Sequence, residues 1–88
     1  MKEHAAIIIR NKKNEILFIK RSMKKKTLPG AWSFPSGTLE NNEDFHKTTI
    51  REAKGELGID VNLEKLLAKK GLPEFSVQLY FVLCTIKN

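Results

Sequence analysis

Residues 32–59, WSFPSGTLENNEDFHKTTIREAKGELGI, decide how the rest of this chain is read. Pro, Ser and Gly come first, in the manner of a turn. Acids follow, and then a segment with a four-residue period. Phe45, Thr49, Ala53 and Leu57 recur at that spacing with Ile50 beside them, which predicts a helix over about 44–57 with one fairly apolar face. Asn42 is the expected N-cap, with Glu43 and Asp44 in the first turn, where the helix dipole favours negative charge. Gly58 is the expected C-terminal stop.

Working outward, HAAIIIR (4–10) is rich in β-branched residues and reads as a buried strand. NKKNE is a polar turn, and EILFIKR (15–21) reads as the antiparallel return strand of a hairpin. AWSF is a short strand ended by Pro35, and Thr38-Leu39 admits a short extended piece. After the helix, IDVNLEKLLAKKG reads as a strand whose Leu66-Leu67 pair leaves room for a helical turn. FSVQLYFVLCTIKN reads as a strand with an alternating first half. The fold class is therefore α/β: a mixed sheet with one helix packed on a face, in a single domain over 1–88.

Composition narrows the classes further. No apolar run approaches the roughly 20 residues that cross a bilayer, and AAIII is too short for a signal-peptide core. The expectation is a cytoplasmic protein with no membrane partner. The lone Cys84 sits in an apolar run and forms no internal disulfide. The net charge of +6 points to an anionic partner, a phosphate compound or nucleic acid.

Glu52 and Glu56 lie four residues apart on the expected helix. That places them about 40° apart round the axis and about 6 Å along it, so their carboxylates can converge. Like charges at that spacing repel, and a hard cation such as Mg²⁺ or Mn²⁺ would reverse the sign. The alternative is a solvated acidic face balanced by Lys47, Arg51 and Lys54.

The wider spacing is more specific. Gly37, five residues, Glu43, seven residues and then Arg51-Glu52-Ala53-Lys54-Gly55-Glu56-Leu57-Gly58-Ile59 resembles the Nudix box, G-x5-E-x7-R-E-U-x-E-E-x-G-U, with U a bulky aliphatic. Its lead-in LPGAWSFPSG resembles the usual approach to that box. The resemblance is to MutT-like Nudix hydrolases, with the box at 37–59. It implies a Nudix-like mixed sheet carrying the box helix and lacking part of the usual C-terminal sheet and helix. It also implies hydrolysis of a pyrophosphate bond in a nucleoside diphosphate linked to another moiety, with Mg²⁺ or Mn²⁺ as cofactor. On that resemblance Glu52 and Glu56 are metal ligands, Glu52 also serves as base, and Arg51 orients Glu52. The backbone carbonyl of Ser36 is a further metal ligand. Glu43 ties the loop to the helix, with Gly37 and Gly58 as motif glycines.

Three departures carry expectations of their own. Gly55 stands where the family has a glutamate, which removes one carboxylate. Ser36 replaces a glycine and would be strained at a positive φ. The chain is shorter than a complete Nudix domain, and an uncovered sheet face would admit a homodimer. The alternative function is a catalytically weak or inactive nucleotide- or RNA-binding module.

KRSMKKK (20–26) is either a solvated loop or an attractor for polyphosphate or an RNA end. Within it Arg21, at a strand end, is the candidate for substrate phosphate. Trp32 is expected to pack under the metal loop, with stacking on a base as the alternative. Phe75 and Tyr80 are expected in the core, and His4 and His46 at the surface or in caps.

Overall fold

The computed structural model describes residues 2–24 and 29–87. Lys25 and Lys26 of the basic run lie outside them. Six strands and one helix follow in order: β1 Lys2–Arg10, β2 Ile19–Lys20, β3 Trp32–Ser33, β4 Ser36–Thr38, α1 Phe45–Leu57, β5 Val61–Leu72 and β6 Val77–Ile86. The main sheet runs β4-β1-β6-β5, while β2 and β3 form a separate ribbon. β1 and β6 are parallel, and the other pairs are antiparallel. The mixed sheet with one helix packed on it agrees with the expected class.

Alternation along β1 and β6 builds the core. Ile7 stands opposite Val82, and Ile9 opposite Cys84. These four side chains, with Ala53 of α1 and Val61 of β5, form the buried cluster between sheet and helix. Burial, then the nearby charge of Glu64, pushes the Cys84 thiol up to about 11, so it behaves as a small core hydrophobe.

The expected hairpin is only partly realised. Arg10 pairs with Ile16 in an isolated bridge, and the Leu17 N–H donates to the Ile9 carbonyl at 3.0 Å. The chain then leaves β1 and pairs with β3 instead. The reason is competition for β1's edges. β6 takes one edge along its whole length, while β4 pairs with residues 4–6 and Pro35 accepts from the Ile7 N–H at 2.8 Å on the other. Only the last residues of β1 remain for the returning chain.

Several local expectations need correction. Asp44, not Asn42, caps α1: it is extended, with φ −101° and ψ 178°, and its carboxylate accepts the Lys47 N–H at 2.8 Å. Asn42 instead takes a left-handed turn at φ 70°. No acid lies in the first helical turn. Gly58 ends the helix as expected, at φ 66°, with its N–H on the carbonyls of Ala53 and Lys54. Thr48 and Thr49 are buried with Ala53, whereas Ile50 is 41% exposed. The Leu66-Leu67 pair stays within β5, where register shifts replace the anticipated helical turn. Trp32 and Phe75 are not core residues, being 69% and 70% exposed. Phe75 sits in the short 3-10 turn at the tip of the β5–β6 hairpin. Tyr80 is half-buried, stacked on Phe45 at 5.3 Å, and its hydroxyl donates to Glu3.

Candidate active site

β4 and α1 meet at a glycine. A Cβ on Gly37 would lie 2.2 Å from Cγ of Glu52 and 2.7 Å from its Oε1. Only a residue without a side chain lets the helix carboxylate rest against the strand backbone. Ser36 precedes it in β4, opposite Ala6. Ser36 is not among the residues with positive φ, so the strain anticipated for it does not arise.

Arg51 organises the loop between them. Its Nε and Nη2 donate to the two carboxylate oxygens of Glu43 at 2.7 and 2.9 Å, a bidentate fork. Nη1 donates to Oε1 of Glu52 at 2.6 Å, and Nη2 also reaches the Thr38 carbonyl at 3.1 Å. One arginine therefore joins the end of β4, the loop and the helix. Glu43 accepts further bonds from the Glu40 N–H at 3.0 Å and the Thr48 hydroxyl at 2.9 Å. The guanidinium above all, then the Glu40 N–H, holds the Glu43 carboxyl down at about 2. Its partner Arg51 is pushed further up by the same hydrogen bonds. Thr48 was not anticipated as part of this network. A hydroxyl in the first turns of the helix, five residues after Glu43, is the signal that could have found it.

An open cleft of about 460 Å³ brings Arg21, Ser36 and Glu56 together, with Lys20, Phe34 and Leu57 among its walls. Glu52 does not line this cleft. It connects to it through Gly37, the neighbour of Ser36. A separate groove of about 430 Å³, at the C-terminal end of β1 beside Lys12 and Thr85, holds none of these residues. His4 shares a hydrogen bond with Thr38 at 3.1 Å, and His46 is exposed.

Among the described residues, no three His, Cys, Asp or Glu side chains come together to hold a metal. The donors that the resemblance implies, Glu52, Glu56 and the Ser36 carbonyl, would amount to two carboxylates and one carbonyl. Such a set suits Mg²⁺, which keeps several waters and is commonly bound by one or two carboxylates plus substrate phosphate. At Gly55 a Cβ would meet nothing within 4 Å, so the position faces open space.

A helix laid on a mixed sheet, with an arginine clamped between glutamates at the strand–helix junction, defines the class of domain. The family model described as NUDIX domain matches residues 2–87. The 8-oxo-dGTP diphosphatase of Proteus vulgaris is 36% identical over 83 residues, which span 92% of this chain and 73% of that protein. Nudix hydrolase 2 of Arabidopsis thaliana is 33% identical over 58 residues, 66% of this chain and 21% of that protein. The crystal structure of a NUDIX hydrolase from Nitrosomonas europaea superposes with a TM-score of 0.85 at 26% identity, covering 99% of this chain and 48% of that one. The chain belongs to the Nudix family, as a MutT-like member. It spans about a fifth of the Arabidopsis protein and about half of the Nitrosomonas chain. No helix among the described residues is long and apolar enough to cross a membrane.

Proposed function

We propose that this chain hydrolyses the pyrophosphate bond of a nucleoside diphosphate linked to another moiety. The observation that carries the reading is the Arg51 clamp, which fixes Glu52 against strand β4, where Ser36 precedes Gly37. Glu52 and Glu56, with the Ser36 carbonyl, would hold Mg²⁺ or Mn²⁺. The metal, when bound, would neutralise charge on the phosphate oxygens. Arg51 keeps Glu52 oriented, so that one of its oxygens can take a proton from the attacking water. Arg21, on the wall of the same cleft, receives a substrate phosphate. Two carboxylates make a weak metal site, so metal and nucleotide should bind together rather than in sequence.

Phosphate release from a panel of nucleoside diphosphate derivatives, with Mg²⁺ or Mn²⁺, tests this. Turnover should occur with at least one of them and should vanish in Glu52→Gln with the circular dichroism unchanged. A second reading, a nucleotide- or RNA-binding module of little or no activity, is favoured by Gly55 and by the small carboxylate set. No turnover across the panel, together with salt-sensitive RNA binding, would select it.

A further inference from the structure

The β2–β3 ribbon turns an aromatic face outward. Lys20 stands opposite Trp32, and Phe18 stacks on Phe34 with centroids 4.9 Å apart and planes 25° apart. Trp32 is 69% exposed and Phe18 48%. The two share an open groove with Ile16 and Leu17. Phe34 and Lys20 also line the cleft that holds Ser36 and Glu56. Phe34 on the cleft wall, stacked on Phe18, thus links the cleft to the outer groove that Phe18 and Trp32 line.

Its flanks decide what it can receive. Lys20 lies within the ribbon, Arg21 follows it, and Lys24 is exposed in the next turn. The chain carries a net charge of +6. A second copy would bring the same cations face to face. A duplex keeps its base faces hidden in its own stack. An anionic chain with open, flat apolar faces satisfies both features, and every unpaired base offers such a face.

We infer that Phe18 and Trp32 form a stacking platform for the unpaired bases of a single-stranded nucleic acid, with its phosphates against Lys20 and Lys24. The platform stands by itself; only delivery of the strand's end to the cleft rests on the hydrolase reading.

Trp32 is the chain's only tryptophan, so its emission reports on the groove. The probe is a ten-nucleotide oligouridylate with a 5′ hydroxyl, which needs no phosphate in the cleft. Saturable quenching is expected, with affinity falling as salt rises. By anisotropy of a labelled strand, Trp32→Ala and Phe18→Leu should each weaken binding about tenfold. Absence of quenching, or unchanged binding in both variants, overturns the proposal, as does tighter binding of a duplex. Self-association that Trp32→Ala abolishes, without strand binding, assigns the groove to a second copy and also overturns it. Quenching by the strand in a chain that hydrolyses no nucleotide retains the platform and removes the hydrolase reading alone.

Discussion

Two of the three glycines inside the box, Gly37 and Gly55, have opposite physical reasons. Gly37 is required by contact, because any Cβ there collides with the Glu52 side chain. Gly37→Ala should cost about 1–3 kcal/mol through overpacking, and should displace Glu52 as well. A thermal melt together with metal-dependent activity would read both effects. A melt and activity matching the unaltered chain would show that the contact carries no constraint. Gly55 is constrained by nothing around it. Gly55→Ala should therefore stabilise the helix by roughly 1 kcal/mol. In a domain of this size that raises Tm by about 4–8 °C. Gly55→Glu should raise Mg²⁺ or Mn²⁺ affinity in calorimetry, and an unchanged affinity would place residue 55 outside the metal site. Spacing alone makes Gly37 legible as a motif position. It does not reveal that the glycine answers to a side chain fifteen residues away.

At the scale of the element, α1 is the part most legible in the sequence, because period and stop signal are local. Its start is less so. Asn42 and Asp44 are both good caps, and the choice falls to the loop, which spends Asn42 on a left-handed turn. Asp44→Ala should cost about 1 kcal/mol of stability, whereas Asn42→Gly should cost little. The clamp of Arg51 on Glu43 adds a pH dependence. The Glu43 carboxyl is lowered from 4.5 to about 2 in the folded chain. The unfolded chain therefore takes up a proton first as pH falls. The pair's contribution is fully present above about pH 4.5 and is lost as pH falls towards 2. Glu43→Gln should lower Tm at neutral pH and flatten its decline between pH 5 and pH 2.5. An equally steep acid decline in the variant would show that other carboxylates carry it.

For the whole molecule, alternation identifies β1 and β6 as strands but cannot say that they are neighbours. Their parallel pairing joins residues more than seventy positions apart, which no local pattern encodes. The same competition for β1's edges sends β2 to β3, and the resulting ribbon leaves Trp32 outside the core. A tryptophan in an apolar stretch reads as core until that rearrangement is known. The β1–β6 seam against α1 is then the main store of stability in a domain small enough to have little in reserve. Ile7 and Val82 meet there with no exposed surface at all. Ile7→Ala should cost about 2–5 kcal/mol, a large part of the total for a small domain. Leu67→Ala, on the edge strand β5 and 45% exposed, should change stability by about 0.5 kcal/mol or less. Urea unfolding of the two variants decides the point. A wide gap between their midpoints places the core at the seam, and similar losses would mean that the helix is held to the sheet by something other than this pair of strands.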